Sequence, residues 1–278
     1  VIVNGTDLTT IGFKETDPPD HWSTAIQTQV SATIPSRPGS IVAGITPVVA
    51  QRRVVVNGLI ERTTAALLRD ARDELIWRMH SPGTALTYFN DQGATQVIMP
   101  DMDPGGGAER HFLVHTASVR TRLPNPAFIG AGSTLAFLTI EMNLLYPFAL
   151  STAVTNATGI GTTYVDADQG TAPSLGVFTI TGAATTPILR YRNHATTLLE
   201  SMTFATLGGS EVYTIDMSAG TVVGSGGAPA DSMTEITAGD FFAMDPNDGD
   251  GVYPITTNPP EISVSAGTAT MNYYKAWR

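Results

Sequence analysis

The run Arg52-Arg53-Val54-Val55-Val56-Asn57-Gly58-Leu59-Ile60-Glu61-Arg62-Thr63-Thr64-Ala65-Ala66-Leu67-Leu68-Arg69-Asp70-Ala71-Arg72-Asp73-Glu74-Leu75-Ile76-Trp77-Arg78-Met79-His80 contains the change of period on which the fold turns. Its first part is rich in β-branched residues and predicts a strand over 51–59 that runs into an Asn57-Gly58 turn signal. Its second part changes rhythm. Leu68, Ala71, Leu75 and Met79 recur at helical spacing, with Arg69, Asp70, Arg72 and Asp73 on the other face, which predicts a helix over 63–79. Thr63 or Thr64 can cap its start, and Pro82-Gly83 stops it. An amphipathic helix of this kind, alone in a chain of strands, covers one face of a sheet.

Outward from that run the chain reads as strands. Residues 24–34 alternate with period two and are ended by 35–39. Further strands are expected at 84–89, 95–99, 112–123 and 135–144, with an exposed loop or hairpin tip at 100–107. Residues 151–170 are poor in large apolar side chains and read as a linker. Beyond them short strands are expected at 176–181, 187–191, 198–206, 210–216, 233–236, 240–244, 261–264 and 269–277. Turn signals at Leu207-Gly208-Gly209, Gly224-Ser225-Gly226-Gly227 and Asp248-Gly249-Asp250-Gly251 separate them. Such regular spacing argues for a β-sandwich. The expected organisation is a β-rich domain with one helix over 1–150, a linker over 151–170 and a sandwich over 171–278, mainly β throughout.

Composition agrees with this class. The chain has 278 residues, a length that suggests about two domains, and 39 Thr accompany 27 Gly and 18 Pro. Hydrophobic residues make up 42% and charged residues 14%, which excludes a disordered chain and a charge-rich helical bundle. Cysteine is absent, so disulfides and Cys-held metals, haem or iron–sulfur clusters are excluded. No apolar run reaches the ~18–20 residues that span a bilayer, and no signal-peptide pattern opens the sequence, so no membrane insertion is expected. Net charge is −10, of which residues 151–278 carry −8 and residues 1–150 only −2. That balance lacks the clustered basic surface with which proteins grip nucleic acid, although such a chain can surround nucleic acid without holding it.

Catalytic signatures are thin. His111 and His115 lie four apart in a strand-like segment, where such positions stand about 13 Å apart on one face, too far to share a metal. His21, His80 and His194 have no Cys or HxxH-type partner. The acidic run Asp245-Pro246-Asn247-Asp248-Gly249-Asp250-Gly251 fails the register of a helix–loop–helix calcium site and reads as a turn. No nucleophile elbow, phosphate-binding loop or dinucleotide fingerprint occurs, and no carboxylate pair stands out. Tyr253, Tyr273, Tyr274 and Trp277 could stack on sugar rings from one exposed face, though Tyr273 and Tyr274 point to opposite faces of a strand. No catalytic, cofactor-binding or metal-binding residue is assigned, and no cofactor is expected.

The order of the soft motifs carries a resemblance. Gly5-Thr6-Asp7-Leu8 followed by Ile11-Gly12-Phe13, the turn Ile34-Pro35-Ser36-Arg37-Pro38-Gly39-Ser40, and Arg53-Val54-Val55-Val56-Asn57-Gly58 leading into one helix resemble the distal tail proteins of long-tailed, non-contractile bacteriophages and related tail-like particles. In the second half Ile215-Asp216, Gly239-Asp240-Phe241-Phe242-Ala243-Met244-Asp245-Pro246 and the closing Ala269-Thr270-Met271-Asn272-Tyr273-Tyr274-Lys275-Ala276-Trp277 are similar to that family's pattern, while 245–251 replaces its tight turn. The resemblance implies a tail-tube-like ring domain followed by a galectin-like β-sandwich, usually six subunits to a ring. It implies a non-enzymatic hub at the distal end of a virion tail, made in the host cytoplasm. Its partners would be the tail tube protein, the tail-tip hub protein and adhesin or fibre proteins. The ring would let DNA pass, and 15 basic against 25 acidic residues lead to the expectation of a neutral-to-acidic channel that does not retain it. A carbohydrate-binding β-sandwich module of a tail tip or adhesin is the alternative reading.

Overall fold

The computed structural model describes residues 1–17, 27–28, 31–33, 40–42, 48–49, 52–83, 86, 88–89, 94–99, 110–122, 133–167, 170–193, 197–245 and 259–277. The chain is mainly β, with one α-helix among the described residues, and divides into two compact units, one of 1–84 with 91–149 and one of 150–277 with 85–90.

The first unit contains β1 (Ile2–Val3), β2 (Thr6–Asp7), β3 (Phe13–Glu15), β4 (Gln27–Thr28), β5 (Ser31–Thr33), β6 (Ser40–Val42), β7 (Val48–Val49), β8 (Arg53–Glu61), α1 (Ala65–His80), β9 (Thr95–Met99), β10 (Arg110–Arg122) and β11 (Leu135–Leu144). An antiparallel sheet runs in the order β2-β1-β9-β10-β11-β8-β3, and β4–β7 and β5–β6 form separate two-stranded ladders. Helix α1 forms where the periodicity predicts it. Thr64 is its N-cap, its hydroxyl oxygen accepting from the Leu67 N–H at 3.2 Å. Leu68, Ala71, Leu75 and Met79 are the buried face, packed in one core with Val54, Val56 and Ile60 of β8 and Leu138 and Ile140 of β11.

The Asn57-Gly58 pair does not turn the chain. Strand β8 runs straight through it, because β11 pairs with every residue from Arg53 to Glu61. The glycine serves close packing instead: a Cβ on Gly58 would lie 2.4 Å from the Phe13 ring and 2.6 Å from the Lys14 carbonyl oxygen. The real turn signal is earlier, where Asn4 (φ 46°) and Gly5 (φ 78°) join β1 to β2. No strand occurs at the described residues of 84–89, and the expected loop at 100–107 lies outside the described residues.

The second unit contains β12 (Ala149–Ser151), β13 (Thr155–Ile160), β14 (Val165–Asp166), β15 (Gly176–Thr181), β16 (Ile188–Arg192), β17 (Leu198–Phe204), β18 (Val212–Asp216), β19 (Thr221–Ser225), β20 (Ile236–Ala238), β21 (Glu261–Val264), β22 (Thr268–Tyr273) and β23 (Ala276–Trp277). Two five-stranded antiparallel sheets, β13-β22-β15-β18-β19 and β14-β21-β16-β17-β20, enclose one core. Phe178, Tyr213, Ile215 and Met271 of one sheet and Leu189, Tyr191, Met202, Phe204 and Ile262 of the other belong to it. The β-sandwich is therefore present.

The expected linker at 151–170 is corrected. It supplies β13 and β14, which pair with β22 and β21, and it buries Ile160 and Ala167 fully in the sandwich core. Residues 240–244 form no strand: only Met244 bridges to Ser174, while Phe242 is buried against the Tyr191 ring at 5.4 Å. Residues 233–235 are a 3-10 turn, and Gly224-Ser225, read as a turn, closes strand β19. Asp216 ends β18 by accepting from the Ser218 and Ala219 N–H groups at 2.8 and 2.9 Å, an Asx turn that explains the Ile215-Asp216 pattern physically.

Candidate functional site

Strand alternation in β8, β10 and β11 sends one set of side chains to the helix-covered core and the other to the opposite face of the same sheet. Pairing places that second set in rows. Arg122, Phe137, Leu59 and Lys14 form one row across β10, β11, β8 and β3. Arg120, Thr139 and Asn57 form the next, then Ser118, Glu141 and Val55, then Thr116, Asn143 and Arg53. The rows are ~7 Å apart along the strands and the columns ~5 Å apart across them.

This face is polar and open. The side chains of Arg120 and Arg53 are 74% and 56% exposed, and Phe137 is 42% exposed. Glu141 sits between the two arginines, 2.6 Å from Arg53 and 3.5 Å from Arg120. The Thr139 hydroxyl donates to Asn57 at 3.0 Å, and the Asn143 amide donates to Thr116 at 3.0 Å. A cleft of about 540 Å³ lies over the first two rows, lined by Arg120, Arg122, Phe137, Thr139, Asn57 and Asp17 among others. Lys14, Arg53, Arg120 and Arg122 stand there with Glu141, Asp17 and Glu61, which pairs opposite Leu135, so this face is highly charged and close to neutral. The helix side differs, since Arg72 pairs with Asp73 at 2.8 Å and Arg78 with Glu74 at 2.6 Å.

The residues singled out by sequence are scattered. His111 is buried in β10 opposite Ile98, whereas His115 is exposed beyond an irregularity between Val114 and Thr116, so they do not share a face. The fold brings His115 instead to the rim of a second cleft, of about 480 Å³, that His80 also lines. The His80 Nδ1 lies 2.8 Å from the Ile76 carbonyl oxygen. Among the described residues no three His, Asp or Glu side chains gather as metal ligands. His21, His194 and Tyr253 lie outside the described residues. Asp245 is held by Tyr191, whose hydroxyl donates to its carbonyl at 3.0 Å and accepts from its N–H at 2.8 Å, and 246–251 lie outside the described residues. Tyr273 and Tyr274 are both buried, so they form no sugar-stacking platform.

Sequence reading missed the polar rows. Their signal is the period-two alternation of Ser118, Arg120 and Arg122 with Ala117 and Val119, and of Phe137, Thr139, Glu141 and Asn143 with Leu138, Ile140 and Met142.

No family model and no curated protein sequence matches the chain. Solved structures do. The crystal structure of the Dit protein (gp 19.1) of phage SPP1, described as a paradigm of hub adsorption apparatus in phages infecting Gram-positive hosts, superposes with a TM-score of 0.63 and 13% identity. The match covers 100% of this chain and 98% of that one. Two structures of the phage P2 baseplate in its activated conformation, with Ca and with Sr, give TM-scores of 0.46 and 0.45 at 7% identity. Each of those covers 97% of this chain and 92% of theirs. The chain thus has the fold of the SPP1 Dit protein from end to end.

Proposed function

We propose that this chain is a structural, non-catalytic hub of a phage tail, at its distal end. It forms a closed ring, of six subunits as in the family it resembles, and joins the tail tube to tail-tip and adhesin or fibre proteins while DNA passes. The observation that carries this reading is the end-to-end fold match to one hub protein, helix-bearing sheet unit and sandwich alike, with 100% and 98% of the two chains covered. Loops and single domains are shared widely among unrelated functions, and a whole two-unit architecture is shared far less. The first unit's open sheet face, and a sheet whose outermost strands among the described residues are the short β2 and β3, suit a chain that completes its surface against neighbours.

Electron microscopy of the purified protein, and of the particles that carry it, tests the proposal. A ring with a central hole at the tail's end is the expected image. A single copy per tail, by native mass spectrometry of isolated tails, would rule the ring out.

A further inference from the structure

We infer that the outer face of the second unit's β14-β21-β16-β17-β20 sheet binds a tetrahedral oxyanion, a phosphate or phosphate ester, through Arg190, Ser263 and Ser201. The inference does not depend on the hub reading. Leu189, Tyr191, Met202, Ile262 and Val264 belong to the sandwich core, so alternation sends Arg190, Arg192, Ser201 and Ser263 to the opposite face. Pairing sets Ser263, Arg190 and Ser201 in one row across β21, β16 and β17, with Glu261 and Arg192 in the next. The two arginines differ sharply. Arg192 is fully engaged: its Nε and Nη2 donate to Glu261 at 2.7 and 2.6 Å, and its guanidinium lies 3.5 Å from the centroid of the Tyr164 ring. Arg190 is half-buried and has no partner among the described residues. Beside it Ser263 is 1% exposed, and its Oγ has no hydrogen-bond partner. A buried hydroxyl and a half-buried guanidinium left in this state cost stability, and what they share is the ability to donate to one acceptor.

The donor set selects the ligand. A guanidinium fork gives two N–H groups to two oxygens of an oxyanion. A carboxylate has no further oxygen and would leave Ser263 as it is. A phosphate offers a third oxygen to the Ser263 hydroxyl, and Ser201 stands on the other side of Arg190 for a fourth. Charge at long range does not hold the ligand, because Arg190 and Arg192 are balanced on this face by Glu261 and Asp166. Glu261 is turned to Arg192, and Asp166 stands two strands from Arg190, beyond the ~8 Å over which salt leaves charges in contact. Glu200 pairs with the core residue Tyr191, and Asp240 lies past the end of β20 at the sheet's edge. Residues 151–278 hold 12 acidic against 4 basic groups, which disfavours a polyanion and leaves a small, singly phosphorylated ligand. Its affinity is expected to be weak, with a dissociation constant on the order of 1 mM.

The test is phosphorus NMR of inorganic phosphate and of glycerol phosphate titrated with the full chain at constant ionic strength. Broadening of either signal is expected, and the tighter of the two tells whether the free anion or an ester is the ligand. Arg190→Gln is expected to weaken binding at least about tenfold, the loss of charge-assisted hydrogen bonds. Arg190→Lys keeps the charge without the fork and is expected to fall between. Ser263→Ala is expected to weaken binding about threefold or more, yet to leave the urea midpoint unchanged or higher, because the hydroxyl has no partner in the fold. Arg69→Gln removes one charge from α1 and is expected to change nothing. Circular dichroism checks that each variant is folded. No broadening with either phosphate overturns the inference. So does equal loss in Arg190→Gln and Arg69→Gln, which would make the effect one of total charge. Full affinity in Ser263→Ala, or a lowered urea midpoint, overturns it because the hydroxyl would then belong to the fold alone. Acetate competing as well as phosphate also overturns it, since the face would then suit the carboxylate of a partner protein.

Discussion

The two units solve the same problem differently. Both are built of antiparallel strands, but the first covers one face of its sheet with α1 and leaves the other polar, whereas the second closes two sheets on each other around Phe178, Tyr191, Phe204 and Tyr213. A sandwich consumes both inner faces and needs nothing further, since its outer faces are meant for water. A sheet with a single helix has a second face to spare. That face, with Arg120, Arg122 and Phe137 exposed on it, is where the first unit has surface to offer a partner.

The largest expected effect tests whether the second unit is self-sufficient, and where it begins. A fragment of residues 150–277 keeps β13 and β14 at one edge of each sheet and is expected to unfold in one cooperative urea transition. A fragment starting at Thr171 loses both strands and the buried Ile160 and Ala167. Its loss of at least about 4 kcal/mol, against the roughly 5–15 kcal/mol of a typical domain, leaves it largely unfolded. Equal stability of the two fragments would restore 151–170 as a linker.

A substitution in the first unit comes next. Gly58→Ala puts a methyl group 2.4 Å from Phe13 and 2.6 Å from the Lys14 backbone, and the backbone has no room to yield. The expected cost is about 2–3 kcal/mol. In the second unit Gly209→Ala meets nothing within 4 Å and is expected to be neutral or mildly stabilising. Urea midpoints of the two variants decide it, and similar shifts would mean that Gly58 is not held by packing.

Within the sandwich, Tyr191→Phe removes both hydrogen bonds to the Asp245 backbone while keeping the ring stacked on Phe242. A loss of about 1–2 kcal/mol is expected, because two partly buried hydrogen bonds to the Asp245 backbone are lost. Hydrogen exchange should quicken at Asp245 and stay unchanged at β11. Exchange that quickens in both units would show that the effect is not local.

How much of this was legible in the sequence follows from where the apolar pattern is complete. The strands at 95–99, 135–144, 176–181 and 261–264 have the expected bounds, the first two because buried residues alternate along them and the last two because they are short, nearly continuous buried runs. The helix was equally plain in Leu68, Ala71, Leu75 and Met79. Strand β13 was not: of Thr155-Asn156-Ala157-Thr158-Gly159-Ile160 only Ile160 is fully buried, so an edge strand looks like a linker. Residues 240–244 err the other way, since Phe242 and Met244 are apolar for the core and not for a ladder. The open face lies on strands far apart in sequence, and residue types alone could not show that Arg53 and Arg120 would share Glu141.

The smallest expected effect separates the units by pH. In the first unit Asp7 is exposed, and the Thr9 N–H it accepts holds its carboxyl below the ordinary 3.8. A depressed acid stabilises the fold above its ordinary value and loses that contribution as pH falls through it. In the second unit Tyr213 is raised above the ordinary 10.0, first by burial and then by the negative charges of Glu235 and Glu211. Below pH ~10 the folded and unfolded chains both keep the phenol proton, and stability is intact. Above it the unfolded chain releases the proton first, so unfolding gains ground as the solution becomes more alkaline. The two units are therefore expected to weaken at opposite ends of the pH scale. Asp7→Asn keeps an oxygen to accept from Thr9 but cannot titrate, and should flatten the acid limb of a plot of urea midpoint against pH. Tyr213→Phe should flatten the alkaline limb, while Glu235→Gln should flatten it only in part, because burial acts first and remains. An alkaline limb unchanged in Tyr213→Phe would mean that some other group titrates there, and that the buried phenol does not distinguish the second unit from the first.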